Sequence, residues 1–190
     1  MTTLTVWNET APEQPETVTK VPEEIADILG RSGVLFERWT AGAALPPGAG
    51  QDAVLAAYAD EVARLRAEGG YAVADVVRLA RGTPDTAPVR AKFLSEHTHS
   101  EDEVRFFVEG SGAFYLRLDG KVYQVICEQD DLLSVPAGTR HWFDMGPDPF
   151  FCAIRLFTDA EGWVAQFTGD DIADRFPTYQ PAGGSAKRSK

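Results

Sequence analysis

The sequence has little of what would tie it to an oxidising compartment, a membrane or a nucleic acid. Two cysteines, Cys127 and Cys152, occur in 190 residues, too few for a disulfide-stapled scaffold. Each lies in an apolar, strand-like run, so both are expected to be reduced, buried small hydrophobes. No apolar run approaches the roughly 20 residues needed to cross a bilayer. The opening MTTLTVWNETAPEQ has neither the basic nor the apolar region of a secretory leader, and the cytoplasm is the expected compartment. Positive charge is also short: 18 Lys and Arg face 29 Asp and Glu, for a formal net charge of −11. Such a surface repels phosphate backbones and anionic head groups, which argues against nucleic-acid and membrane partners. It does not exclude an anionic small molecule, because a buried cation inverts the field locally. There is no internal repeat. The length suits one domain with a substantial core.

Two unlike halves follow one another. From Met1 to about Pro88 the pattern reads as mostly helical with loops. Leu4–Trp7 fits a short strand, Pro22–Leu29 a short helix opened by proline and followed by Gly30, and residues 41–50 a loop. Leu55, Tyr58, Val62 and Leu65 recur at helical spacing in Gln51–Glu68, and Gly69-Gly70 stops that helix. Tyr71–Leu79 is expected to form a further short helix. From Arg90 to about Thr158 the period becomes two, with turns every 8 to 12 residues, the mark of a sandwich or barrel. Expected strands are Glu103–Glu109, Ala113–Leu118, Lys121–Cys127, Leu132–Val135, His141–Met145 and Phe151–Phe157. Asp119-Gly120 predicts a tight hairpin with both residues at positive φ. The final PAGGSAKRSK, residues 181–190, is expected to be a disordered tail.

Histidine is scarce, and its placement is informative. His97 and His99 are two residues apart, so on a strand they share a face. Glu103 follows across a polar corner, and Pro136-Ala-Gly-Thr-Arg-His141 delivers the third and last imidazole to a strand start. Three imidazoles and one carboxylate suit iron(II), nickel(II), manganese(II) or cobalt(II) in a site that keeps open positions. A structural zinc site relies on thiolates, and neither cysteine is near these positions in sequence. Arg105, two residues after Glu103, points to the same interior on a continuous strand, where a charge needs a partner.

These residues resemble the cupin superfamily. His97, His99, Glu103 and Gly110 match its first motif, and Pro136, Gly138 and His141 the centre of its second. Asp130 stands where that second motif has glycine, Met145 where it has asparagine, and Ala91 where a glycine precedes the first motif. More narrowly, residues 97–112, 135–143 and 155–163 are similar to the bacterial acireductone dioxygenase family. The resemblance implies a mainly β fold: a cupin double-stranded β-helix, or jelly-roll barrel, with an N-terminal helical segment. One domain would span residues 1–180, helical to about 88 and a barrel from about 90.

The resemblance also implies a chemistry. That family cleaves the acireductone 1,2-dihydroxy-3-keto-5-methylthiopentene with O2 in methionine salvage, using one Fe2+ or Ni2+ per chain. Iron gives formate and 4-methylthio-2-oxobutanoate; nickel gives formate, carbon monoxide and 3-methylthiopropanoate. His97, His99, Glu103 and His141 would hold the metal, and Asp102 and Arg105 would be catalytic, Asp102 by helping to form the substrate dianion. Glu96 would aid metal incorporation, or orient an imidazole, as Asp102 also could. Phe93, Phe143 and Trp163 would wall the methylthio tail, although each is also plausible as plain core. The expected partners are the acireductone and O2, with the chain a monomer. Another metal-dependent cupin enzyme, or a non-catalytic small-molecule-binding cupin, stays open as an alternative.

Overall fold

Glu103–Leu118 forms one 16-residue strand where two short strands were expected, and that strand belongs to two sheets. The structure, a computed structural model, describes residues 1–39, 45–159 and 164–181. The elements in chain order are β1 (Thr3–Asn8), β2 (Pro15–Thr19), α1 (Pro22–Gly30), β3 (Leu35–Arg38), α2 (Gln51–Ala57), α3 (Ala59–Gly69), β4 (Val73–Leu79) and α4 (Thr86–Leu94). There follow β5 (His97–Thr98), β6 (Glu103–Leu118), β7 (Lys121–Glu128), β8 (Asp131–Val135), β9 (Arg140–Asp144), β10 (Phe151–Phe157), β11 (Gln166–Phe167) and a 3-10 turn, Ile172–Arg175. One sheet runs β11-β5-β9-β6-β7-β1-β2 and the other β4-β10-β6-β8-β3, every pairing antiparallel. This is the expected mainly β, cupin-type barrel.

The crossing point is Gly110. Its φ of +71° is in the left-handed region, and a Cβ there would lie 1.9 Å from the Phe150 carbonyl oxygen, so only glycine fits. Before it, β6 pairs with β8 and β10; after it, with β7 and β9. Alternation then sorts the side chains. Phe107, Phe114 and Leu116 point into the barrel with Leu133, Phe143 and Phe151. Val104, Phe106 and Val108 point out beneath Val54, Tyr58, Val62 and Leu65 of the α2–α3 region. Ala113 and Tyr115 pack on the opposite outer face with Trp7, Trp142 and Phe176.

Several expectations change. Tyr71–Leu79 holds a strand, β4, instead of a helix: Val73–Leu79 pairs with β10 over seven positions, and its valines suit that pleated environment. The 51–68 helix is broken at Tyr58, whose ring is buried edge-on against Phe106 at 5.1 Å. Besides α1, α2 and α3, the N-terminal part supplies β1, β2, β3 and β4, so both sheets include strands from it. A further helix, α4, occupies Thr86–Leu94, and the first site-bearing strand starts at His97. Asp119 and Gly120 do take positive φ, +51° and +74°. Asp130 adopts φ +75°, the conformation for which the motif's glycine is suited. Residues 41–44 of the expected loop and 182–190 of the expected tail lie outside the described residues.

Candidate metal centre

Two short strands and one turn bring the three histidines together. β5 lies between β9 and β11, with His97 opposite His141 on one side and Phe167 on the other. The turn that carries His141 is held against the first two ligands' strand: the Gly138 N–H donates to the His99 carbonyl at 2.9 Å, and the Ala137 N–H to Asp102 Oδ1 at 2.9 Å. One ligating nitrogen from each of His97, His99 and His141 lies within 4.8 Å of the other two, and all three residues are buried.

The backbone sets which nitrogen that is. His97 Nδ1 lies 2.7 Å from the Ser95 carbonyl, His99 Nδ1 3.2 Å from that of Val164, and His141 Nδ1 2.8 Å from that of Thr139. A carbonyl only accepts, so each Nδ1 carries the proton and each neutral ring leaves a lone pair on Nε2. Burial, followed by the nearby His141, lowers the His97 imidazole to about 4, and burial also lowers His99. Both rings therefore favour the neutral form, the one that binds metal.

Glu103 completes the cluster. Its Oε2 lies 2.8 Å from His141 Nε2 and 3.6 Å from His99 Nε2. Both Glu103 Oε2 and His141 Nε2 are buried without a hydrogen-bond partner among the described residues. Two lone pairs facing each other at that distance repel unless a cation is shared between them, and leaving both unsatisfied is costly. Burial alone would raise the Glu103 carboxyl. Arg105 and then the imidazoles outweigh it, holding the carboxyl well below its ordinary range. Arg105 donates through Nε to Glu103 Oε1 at 2.7 Å, with Nη2 at 2.6 Å from the same oxygen. Its guanidinium is gripped between the Phe143 and Phe114 rings, 5.0 and 5.4 Å from their centroids. Gly112 makes room for that arrangement, since a Cβ there would meet Phe143 at 2.4 Å. The donor set is nitrogen and oxygen only, and it fits a divalent transition metal.

The other expected site residues fall in different places. Phe143 is in the barrel beside Arg105, and the Phe93 ring lies 6.3 Å from that of His97. Trp163 lies outside the described residues. Neither Glu96 nor Asp102 hydrogen-bonds an imidazole among the described residues; the orienting groups are backbone carbonyls. Glu96, next to His97 and so on the other face, is buried against Arg117 Nη1 at 3.2 Å and the Thr168 hydroxyl at 2.6 Å. Asp102 is exposed and holds the Pro136–Gly138 turn, with the Tyr71 hydroxyl at 3.5 Å from Oδ2. Sequence reasoning missed Val164, whose carbonyl holds His99, and Phe167, whose half-exposed ring stands 5.7 Å from that of His97. Only the pairing of β11 with β5 brings these two to the site, so no local signal marked them. A cavity of about 500 Å³, lined by none of these ligands, opens on the outer face between Glu9, Arg117 and Arg140.

An antiparallel barrel with a buried His3Glu cluster between its sheets defines a metal-binding cupin. Comparison narrows this further. The model of the ARD/ARD′ family matches residues 3–165. Acireductone dioxygenases of Pseudomonas aeruginosa and Parvibaculum lavamentivorans are each 59% identical over 180 residues, 95% of this chain and 99% and 98% of theirs. The solved acireductone dioxygenase of Bacillus anthracis, with a cadmium ion in its active centre, is 33% identical. It superposes with a TM-score of 0.78 over 88% of this chain and 98% of that one. The chain belongs to the ARD/ARD′ family, the acireductone dioxygenases.

Proposed function

We propose that this chain is a metal-dependent acireductone dioxygenase whose ion is held by His97, His99, Glu103 and His141. The observation that carries the assignment is the close approach of Glu103 Oε2 and His141 Nε2, both without a hydrogen-bond partner among the described residues, in a cluster whose three Nδ1 atoms all meet backbone carbonyls. When bound, the ion supplies Lewis acidity to the two adjacent oxygens of an enediolate substrate.

The chain's own groups prepare that site. Ser95, Val164 and Thr139 fix the tautomers, so no reorganisation is needed when the ion enters. Arg105 compensates Glu103, which leaves the ion's two positive charges to balance a substrate dianion. Asp102, exposed one residue before Glu103, is the proposed acceptor for the substrate's second proton. Phe143, Phe93 and Trp163 are the proposed apolar wall for a methylthio tail, and that wall keeps water from the reacting carbons. Glu96 supports the imidazole strand from behind, through Arg117 and Thr168.

The substrate on this reading is 1,2-dihydroxy-3-keto-5-methylthiopentene, cleaved with O2 in methionine salvage. Fe2+ gives formate and 4-methylthio-2-oxobutanoate; Ni2+ gives formate, carbon monoxide and 3-methylthiopropanoate. The enzyme acts as a cytoplasmic monomer. The test is turnover of a desthio acireductone analogue by the chain reconstituted separately with each ion. Consumption of O2 together with analogue is expected. Metal retention without turnover would instead assign a binding cupin.

A further inference from the structure

The three imidazoles are not held alike. His97 and His141 donate to carbonyls two residues earlier in their own chain segments, Ser95 and Thr139. These bonds are local and survive any shift of distant elements. His99 donates to Val164, 65 residues away, at the longer distance of 3.2 Å. Its orientation depends on the segment Val164–Thr168, and the ladder holding that segment is thin. β11 has two residues, both exposed, and among the described residues it pairs only with the two-residue β5.

Arg117 supplies what the ladder lacks. It sits near the end of β6, opposite Arg140 of β9 and next to Leu116, which pairs with His141. Its side chain is 17% exposed and meets three carboxylates from three parts of the chain: Glu9 at 2.8 Å, Asp170 at 2.9 Å and Glu96 at 3.2 Å. Glu96 adjoins His97, and its carboxylate and carbonyl both receive Thr168, through the hydroxyl at 2.6 Å and the N–H at 3.1 Å. Asp170 in turn receives the Ile172 N–H at 3.0 Å, which ties the fork to the start of the 3-10 turn that follows this segment. One rigid, always-charged fork thus fastens β5 and the β11 segment from the outer face.

We propose that Arg117 is a positioning residue for the metal centre, acting through Glu96 and Asp170 to hold the Val164 carbonyl against His99. The proposal rests on the reading that the imidazoles hold a metal. Arg117 touches neither metal nor substrate; it decides whether the third ring is preorganised. Groups that hydrogen-bond metal ligands, as the Val164 carbonyl does, change metal affinity by about 10- to 100-fold, which bounds the effect of a residue that holds such a group in place.

The test uses the full chain loaded with Co2+ and challenged with excess chelator, following release of the ion. Arg117→Met is expected to speed release by about tenfold or more. Asp170→Asn, which keeps an acceptor for Ile172, should speed it by a smaller factor and serves if Arg117→Met does not fold. Glu9→Gln removes the charge from the shortest arm of the same fork, as Asp170→Asn does from another, without touching β5 or β11, and should leave release within about twofold of the parent. In the metal-free chain, nitrogen NMR of Arg117→Met should show His99 losing its fixed Nδ1–H tautomer while His97 and His141 keep theirs. Unchanged release in both Arg117→Met and Asp170→Asn would overturn the proposal, as would equal acceleration by Glu9→Gln or equal loosening of all three rings. A parent chain that binds no Co2+ would instead overturn the metal-site reading beneath it.

Discussion

At the scale of single residues, the site depends on charges and lone pairs that are satisfied only as a set. His97→Ala or His141→Ala removes one of three converging nitrogens, and both metal retention and turnover are expected to be lost, by elemental analysis and O2 uptake. Activity retained in either variant would refute the ligand assignment. Arg105→Met is expected to cost about 3–5 kcal/mol in urea unfolding, because it leaves the buried Glu103 carboxylate without its partner. A loss under about 1 kcal/mol would mean that Arg105 is not what compensates that charge. His97, His99, Glu103 and His141 could be picked out in the sequence because a period of two and a proline-glycine turn fix where side chains point. The groups that orient them could not. They are backbone carbonyls, which every residue has, and Val164 reaches His99 only through a strand pairing 65 residues distant.

At the scale of elements, the barrel rests on one strand changing sheets. Gly110→Ala combines a positive φ with a Cβ driven into the Phe150 carbonyl, whereas Gly120→Ala has a similar φ of +74° and nothing within 4 Å. The second should cost about 1–2 kcal/mol for the left-handed backbone alone. The first should cost clearly more, read as the difference in urea midpoints; equal costs would contradict the crossing as described. The strands between Glu103 and Phe157 were legible because each alternates and is bounded by turns, with β6 read as two, while the short β2, β3 and β11 went unmarked. β4 was not, since a short valine-rich run such as Val73–Leu79 satisfies either period, and its pairing with β10 decides. α4 was hidden for a related reason: Thr86–Leu94 has no fully buried face to impose a helical pattern.

At the scale of the whole molecule, a buried carboxylate away from the site ties strands together and makes stability depend on pH. Asp131 is fully buried and receives the Thr2 hydroxyl at 2.5 Å and the Glu128 N–H at 2.8 Å, with Arg38 Nε at 3.3 Å. Burial raises it to about 6 from an ordinary 3.8. The folded chain then holds this proton more tightly than the unfolded chain does. The contribution of Asp131 is complete below about pH 3.8 and is lost as pH rises through about 6, a change of about 3 kcal/mol. Asp131→Asn should flatten that part of the unfolding profile between pH 4 and 7 in the metal-free chain. An identical profile would show that Asp131 is not shifted.

The proposed activity depends on one divalent ion joining three Nε2 atoms and one carboxylate inside the barrel. Elemental analysis of the purified chain, paired with product identification after reconstitution, addresses this directly. About one iron, nickel, cobalt or manganese per chain is expected, with the keto acid from the Fe2+ form and carbon monoxide from the Ni2+ form. A folded chain that takes up none of these ions, and stays inert with each, would contradict it.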